Sequence, residues 1–211
     1  MMRIVLLGAP GAGKGTQAGI VAKRLSVPVI STGNILREAM KNETGLGSKA
    51  RNFVEAGMLV PDDIIVGILA ERLAEDDCAD GFILDGVPRT VVQADAIADM
   101  GIVVDRAVCI EIADDVIVRR MAGRRVCPGC GMSFHIEFNA PSIEGLCDGC
   151  GDRLVIRDDD REQTVVDRLK VYHQLTEPLK GYYKKSKKLR MVDGDAPIND
   201  ITREILLALE T

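Results

Sequence analysis

The chain has 211 residues, of which 46% are hydrophobic and 28% are charged, a composition typical of folded globular proteins rather than disordered ones. Its formal net charge of −5 argues against a general binder of nucleic acids or anionic membranes, because such proteins carry a basic excess. Its longest apolar runs are far shorter than the roughly 20 residues of a membrane span, and the N-terminus lacks the features of a signal peptide, so we expect a soluble cytoplasmic protein.

Apolar runs and helical periods alternate along most of the chain. Short runs rich in Val, Ile and Leu predict strands at 3–7, 27–30, 82–84, 106–112 and 189–192. Apolar residues at helical spacing predict helices at 16–25, 32–41, 46–56, 61–75, 90–100, 114–123, 161–173 and 198–209. We expect Asp114 to cap the helix at 114–123. Strands that alternate with helices favour an α/β fold with a parallel sheet covered on both faces.

A glycine-rich segment joins the first predicted strand to the first predicted helix. The run Gly8-Ala9-Pro10-Gly11-Ala12-Gly13-Lys14 matches the phosphate-loop pattern G-x-x-x-x-G-K in the context that this pattern requires. Glycines let backbone N–H groups approach phosphate oxygens, and the helix N-terminus adds positive charge. We expect Lys14 to bind the transferring phosphoryl group. The next residue is Gly15, so the hydroxyl that usually binds magnesium is displaced by one position, to Thr16.

The segment from Cys127 to Ile156 is rich in Gly and Pro and shows no helical period. It contains two Cys-x-x-Cys pairs at the spacing of a structural zinc site, formed by Cys127, Cys130, Cys147 and Cys150. Four thiolates leave no open position on the metal, so we expect zinc to stabilise this segment rather than perform chemistry. Paired disulfides, unliganded thiols and iron in place of zinc are the alternatives.

The other residues with metal-binding chemistry are expected to be structural. Cys78 and Cys109 lie in apolar or helical contexts, so we expect both in the core. Four cysteines already complete a zinc site, which leaves His135 and His173 without a metal role. The cysteine segment carries one basic residue, Arg153, against four acidic ones, which argues against a zinc ribbon that binds nucleic acid.

Three motifs in this order make the sequence recognisable. GAPGAGKGTQ at 8–17, STGNILR at 31–37 and DGFILDGVPRT at 80–90 resemble adenylate kinases, and the four cysteines resemble the zinc-containing long form of that family. The resemblance implies a P-loop nucleoside monophosphate kinase fold, with a parallel five-stranded sheet flanked by helices. It also implies three parts: a core at 1–30, 61–125 and 165–211, an AMP-binding insert at 31–60, and a zinc-binding lid at 126–164.

The resemblance further implies an activity, the reversible magnesium-dependent transfer of a phosphoryl group from ATP to AMP that gives two ADP. The residues implied to act on the transferring phosphates are Lys14, Asp85, Arg89, Arg124, Arg157 and Arg168. The implied ATP site comprises Gly11, Ala12, Gly13, Lys14, Gly15, Thr16, Arg120, Arg124, Ser133, Phe134 and Ala196. The implied AMP site comprises Thr32, Arg37, Met58, Leu59, Val60, Gly86, Val87, Pro88, Arg89, Gln93, Arg157 and Arg168.

Within these sites the resemblance implies particular contacts. Arg120 would stack on the adenine of ATP, and Ser133 and Phe134 would lie near its ribose. Arg37 would bind the phosphate of AMP, and Gln93 would pair with its adenine through the side-chain amide.

The sequence departs from the family pattern at two positions. The family usually has Asp where this chain has Asn34, which would leave Asp85 largely alone to hold water around magnesium. The alternative is that Asn34 only caps a helix. The family usually has Phe where this chain has Val87, which changes a packing contact. The acidic run 158–160 either resembles the family hinge or is a solvated turn.

Two other functions remain open at this point. One is a nucleoside monophosphate kinase for UMP or CMP, although Thr32 and Gln93 favour adenine. The other is a non-enzymatic zinc protein that uses the phosphate loop only to sense ATP. We expect a monomer, because no segment of the sequence indicates a subunit interface.

Overall fold

The computed structural model describes residues 2–210 as an α/β protein. Its strands are β1 (Met2–Leu7), β2 (Val29–Ser31), β3 (Gly81–Asp85), β4 (Arg106–Glu111), β5 (Arg124–Val126), β6 (Ser133–His135) and β7 (Leu189–Asp193). Five of them form one sheet in the order β2-β3-β1-β4-β7, and every neighbouring pair is parallel. The predicted α/β class and five-stranded parallel sheet are confirmed. Strands β5 and β6 form a separate antiparallel pair.

Helices connect the strands of the large sheet. They are α1 (Lys14–Leu25), α2 (Thr32–Lys41), α3 (Gly45–Glu55), α4 (Asp62–Leu73), α5 (Val91–Asp99), α6 (Asp114–Gly123), α7 (Glu162–Val171), α8 (Leu179–Lys185) and α9 (Ile198–Glu210). The eight predicted helices are present, α2 and α6 with the predicted ends and the others with shifted ends, and α8 was not predicted. The expectation that Asp114 caps α6 is wrong: the N-cap is Ala113, and Asp114 is the first helical residue. Short 3₁₀ turns lie at Asp76–Cys78 and Asp158–Asp160, and a π-helical turn, Tyr172–Thr176, follows α7.

The sheet separates two apolar layers. Because side chains alternate along a strand, Val5 and Leu7 of β1 pack into the layer with α4, α5 and α8, whereas Ile4 and Leu6 pack against α1 and α9. All four side chains are buried, and burial of each contributes about 1.5–3 kcal/mol. A strand buried on both faces needs a continuous apolar run, which is why β1 shows no alternation in sequence.

The parallel pairing determines where a site can form. Leu6 of β1 pairs with Asp85 at the end of β3, so the chain leaves both strands at the same edge of the sheet. The phosphate-loop segment 8–13 therefore lies beside the segment 86–90 that follows β3. Ligands of open α/β sheets bind at this carboxyl edge.

His173, in the π-helical turn, connects that turn to the start of α6. Its Nε2 lies 2.9 Å from Oδ2 of Asp114, and its Nδ1 lies 2.9 Å from Oε2 of Glu177. Hydrogen bonds to Glu177 and Asp114 raise the pKa of His173 above its ordinary value of 6.5. The sequence-based expectation that His173 is structural agrees with these contacts.

We expect replacement of His173 by Gln to destabilise the protein more at about pH 6 than at about pH 9. A raised folded-state pKa adds stability that is complete below the unfolded-state pKa and is lost as the pH rises through the folded-state pKa. Urea unfolding of wild type and variant at both pH values measures the difference. Equal losses at the two pH values would contradict the ion-pair role.

Candidate functional site

The phosphate-loop segment is shaped by glycines. Gly11 and Gly13 have φ angles of 86° and 92°, in the left-handed region where other residues are strained. A Cβ on Gly8 would lie 2.6 Å from the carbonyl oxygen of Ile110. Helix α1 begins directly after Gly13, so its free N–H groups point into the loop and form an anion site.

Lys14 is folded over this loop. Its Nζ donates hydrogen bonds to the carbonyl oxygens of Gly8 at 2.7 Å and Ala9 at 2.8 Å. Burial lowers the pKa of Lys14 to about 8, and the nearby Asp85 carboxylate opposes this shift. Asp85 also faces the first turn of α1, because a Cβ on Gly15 would lie 3.5 Å from Oδ2 of Asp85. The phosphate loop, the Lys14 amine and the Asp85 carboxylate thus form one polar site.

Two clefts meet at this edge of the sheet. The phosphate-loop cleft, of about 540 Å³, is lined by Gly8, Pro10 and Lys14. Residues of the segment after β3, of α7 and of the π-helical turn after α7 also line it. The second cleft, of about 590 Å³, lies between α2, α3 and α4. The residues that line both clefts are Gly57, Leu59, Gly86, Arg89 and Arg168. Two ligands bound side by side would therefore meet over the guanidinium groups of Arg89 and Arg168.

The second cleft gathers most of the residues predicted for AMP. Those lining it are Thr32, Arg37, Met58, Leu59, Val60, Gly86, Arg89, Gln93, Arg157 and Arg168. Pro88 lines the phosphate-loop cleft instead, and Val87 is buried in the core with 1% of its surface exposed. The peptide bond between Val87 and Pro88 is cis. The binding of AMP itself stays a prediction.

Two aspartates orient three of the predicted arginines. Nε of Arg124 donates to Asp160 at 2.7 Å, and Nε of Arg157 donates to Asp159 at 2.7 Å. Arg168 lies between them, 2.9 Å from Oδ2 of Asp159 and 3.5 Å from Oδ1 of Asp160. Burial alone would raise the pKa of Asp159, but Arg168 and Arg157 outweigh it and lower that pKa to about 2.

The sequence alone leaves the role of these aspartates open. A solvated turn is wrong for Asp159 and Asp160, whose side chains are buried in ion pairs, whereas Asp158 is exposed and pairs with Arg161. Acidic residues directly after Arg157 were the signal in the sequence, and Arg157 pairs with Asp159 two residues on, but Arg124, the partner of Asp160, lies 36 residues away in the chain.

Arg37 and Asn34 form a pair on the outer side of the second cleft. Oδ1 of Asn34 accepts a hydrogen bond from Arg37. The helix-capping role for Asn34 is wrong, because α2 begins at Thr32 after the N-cap Ser31. Burial and the neighbouring Arg157 lower the pKa of Arg37 to about 9. The cluster of guanidinium groups thus repels itself, and anionic phosphates would relieve that repulsion.

Of the residues predicted for ATP, only Lys14 lines one of these two clefts. The residues that line neither are Gly11, Ala12, Gly13, Gly15, Thr16, Arg120, Arg124, Ser133, Phe134 and Ala196. Arg120 donates to the carbonyl oxygen of Gly194 at 2.9 Å, and its guanidinium lies 5.6 Å from the ring centre of Phe138. Phe134 is buried against Cys127 and Cys147. The aromatic ring of Phe138 therefore packs against the guanidinium of Arg120, a contact that could not be predicted from the sequence.

The four paired cysteines converge on one point. Their Sγ atoms all lie within 4.8 Å of one another. The Sγ atoms of Cys127 and Cys150 are 3.3 Å apart, and those of Cys130 and Cys147 are 3.5 Å apart. A tetrahedral zinc with bonds of about 2.3 Å separates its sulfur ligands by about 3.8 Å. The cluster therefore fits one zinc ion.

The remaining titratable residues of the sequence analysis are structural. Cys78 and Cys109 are buried, as expected, and burial raises the pKa of Cys109 to about 12. His135 lies in β6, where its Nδ1 accepts hydrogen bonds from the backbone of Glu137 and Phe138.

Comparisons with known proteins agree with this geometry. A family model described as adenylate kinase matches residues 6–188. The chain is 51% identical to the adenylate kinase of Caldicellulosiruptor bescii, with 99% of each chain covered. It is 50% identical to the adenylate kinase of Acetivibrio thermocellus, covering 99% of this chain and 98% of that one, and 49% identical to that of Geobacter sulfurreducens, covering 100% and 99%.

None of the helices within residues 2–210 combines the length and the apolar character that crossing a membrane requires.

The match of the family model over most of the chain and identities near 50% to several members show that this chain belongs to the adenylate kinase family of enzymes.

Proposed function

We propose that this chain transfers a phosphoryl group from ATP to AMP and, in reverse, from one ADP to another. The observation that carries this proposal is the shared wall of the two clefts. Arg89 and Arg168 line both clefts, Lys14 lines only the phosphate-loop cleft, and Arg37 lines only the second. A triphosphate on the loop and a monophosphate in the second cleft would thus meet across positive charge.

The basic residues would align the two nucleotides. Backbone N–H groups of the loop would bind the triphosphate, and Nζ of Lys14 would move from its carbonyl partners to the transferring group. Arg37 and Arg89 would hold the phosphate of AMP, whose oxygen attacks the terminal phosphorus of ATP while the bond to the leaving ADP breaks. Proximity and charge neutralisation carry this step, and no covalent enzyme intermediate is needed.

The remaining arginines would exchange partners when nucleotides bind. Arg124, Arg157 and Arg168 form ion pairs with Asp159 and Asp160. Phosphate oxygens would compete with these carboxylates for the same guanidinium groups. Residues 126–164, the proposed lid, contact residues 31–60, the proposed AMP-binding insert, where Nζ of Lys41 donates to the carbonyl oxygen of Pro128 at 3.1 Å. This closed arrangement would exclude water that could otherwise hydrolyse ATP.

Two metal ions complete the proposal. The Asp85 carboxylate beside α1 fits a role in holding the water shell of a magnesium ion, which supplies positive charge to the phosphates of ATP. Cys127, Cys130, Cys147 and Cys150 would hold one structural zinc. Zinc thiolates require reduced cysteines, so we also propose that the chain acts in the cytoplasm. We further propose that it acts as a monomer.

The direct test is ADP formation from ATP with AMP, UMP, CMP or GMP as acceptor. We expect kcat/KM for AMP to exceed that for the pyrimidine monophosphates by at least about a hundredfold, because a site built to hydrogen-bond one base rejects others strongly. Higher activity with UMP or CMP would replace this proposal by a pyrimidine nucleotide kinase. Size-exclusion chromatography with light scattering tests the monomer.

We expect Asn34→Asp to lower the magnesium concentration that gives half-maximal rate, and Asp85→Asn to raise it. An amide lacks the Coulomb attraction of a carboxylate for the hydrated cation, and Asn34 offers no second carboxylate to compensate for the loss at Asp85. Magnesium titrations of the three proteins at saturating nucleotides measure the effect. Identical curves for wild type and Asn34→Asp would restrict position 34 to its contact with Arg37.

A further inference from the structure

The side-chain amide of Gln93 is held at both ends. Its Oε1 accepts a hydrogen bond from the backbone N–H of Arg89 at 2.7 Å, and its Nε2 donates one to Oδ1 of Asp62 at 2.7 Å. Gln93 is 1% exposed and lines the second cleft. Each end of the amide retains one further hydrogen-bonding position, a lone pair on Oε1 and a hydrogen on Nε2.

Asp62 is itself fixed where two helices begin. It is the first residue of α4, and its carboxylate also accepts a hydrogen bond from Oγ1 of Thr90 at 3.1 Å. Thr90 is the N-cap of α5, and its Oγ1 accepts from the backbone N–H of Gln93 at 3.1 Å. The carboxylate therefore receives donors from a helix cap and from the amide of Gln93.

These contacts permit only one orientation of the amide. A carboxylate offers only acceptors, and a backbone N–H offers only a donor. Turning the amide by 180° would place Oε1 against Asp62 and Nε2 against the N–H of Arg89, so both hydrogen bonds would be replaced by repulsive contacts. An unpartnered glutamine could adopt either orientation.

We propose that Asp62 is a positioning residue that fixes the Gln93 amide and thereby makes the acceptor site select adenine over hypoxanthine and guanine. Adenine presents an amino donor beside the N1 acceptor, whereas hypoxanthine presents a carbonyl acceptor beside an N1–H donor. An amide that could flip would match either base, and a fixed amide matches only one. This inference rests on the proposed binding of AMP in the second cleft.

The test compares AMP with IMP, which differ at this base edge. In Asp62→Asn the new amide can present either an oxygen or an N–H to Gln93, so the constraint from Asp62 is lost with little change in shape, and only the backbone N–H of Arg89 still orients the amide. We expect the ratio of kcat/KM for AMP to that for IMP to fall about tenfold, through a higher KM for AMP and a lower KM for IMP. The KM for ATP should stay unchanged.

Two controls separate positioning from a general structural effect. Asp63→Asn makes the same charge change in the same first turn of α4, at an exposed side chain, and should leave the ratio unchanged. In a Gln93→Ala background, where the amide is absent, Asp62→Asn should have no further effect on the ratio. If Asp62→Asn does not fold, Asp62→Ser gives the same test, because a hydroxyl also accepts or donates.

The outcomes distinguish this inference from the proposed function. An unchanged AMP-to-IMP ratio in Asp62→Asn, or an equal effect of that substitution with and without Gln93, would overturn the role of Asp62. Failure of the wild-type protein to use AMP at all would overturn the proposed function instead.

Discussion

We expect Lys14→Met to lower kcat at least about a thousandfold while the fold survives. The methionine side chain occupies a similar volume but cannot neutralise charge on the phosphoryl group in flight, where a positioned charge has a large effect. The stability change should be small, because Nζ of Lys14 bonds only to the carbonyl oxygens of Gly8 and Ala9 in its own loop.

The matched control for this variant is Lys23→Met, in the last turn of the same helix, α1, where the side chain is exposed. Coupled ADP-formation assays give kcat, and circular dichroism with urea unfolding confirms the fold. Lys23→Met should retain the wild-type rate. A Lys14→Met protein with near-normal turnover would remove the phosphate-loop assignment.

We expect removal of zinc to unfold the cysteine segment, residues 127–156, and to abolish turnover. Binding of a structural zinc contributes roughly 10 kcal/mol to the folding of a small site, and the apolar cluster of this segment is small. Its apolar cluster comprises only Cys127, Phe134 and Cys147, with Leu154 packed against them. Because the flanking residues Arg124 and Arg157 would lose their support, phosphate alignment should fail as well.

Metal analysis of freshly isolated protein, followed by chelation and thermal melting, measures this effect. Cys147→Ser should lower the zinc content and the melting temperature, whereas Cys78→Ser, at a buried cysteine outside the cluster, should keep one zinc per chain. Native protein without metal and with the four cysteines in disulfides would contradict the zinc site.

The sequence predicted well those features that depend on neighbouring residues. The phosphate loop could be identified because glycines, a lysine and a helix start within one short segment specify its shape. The Cys-x-x-Cys pairs could be identified because each pair is a local turn. The sequence predicted helix ends less well, as the wrong cap at Asp114 shows. Ala113 and Asp114 are adjacent and both precede the apolar residues of α6, so the pattern did not distinguish the N-cap from the first helical residue.

The sequence could not predict which polar groups would share partners across the chain. It indicated the arginines Arg124, Arg157 and Arg168, but their pairing with Asp159 and Asp160 depends on the folding of the segment 124–168 onto itself. Asp62 and Gln93 are 31 residues apart, and only the packing of α4 against α5 brings the carboxylate to the amide.

By itself the sequence determined the fold class, the phosphate loop and the cysteine cluster, because these follow from local patterns of apolar spacing, glycine and cysteine. The resemblance of its three motifs indicated the family. Only the tertiary structure decided that Arg89 and Arg168 line both clefts, that Phe138 packs against Arg120 and that Gln93 is fixed in one orientation. Hydrogen bonds and ion pairs act over about 3 Å, so their partners are set by the three-dimensional packing of helices and strands and not by distance along the chain.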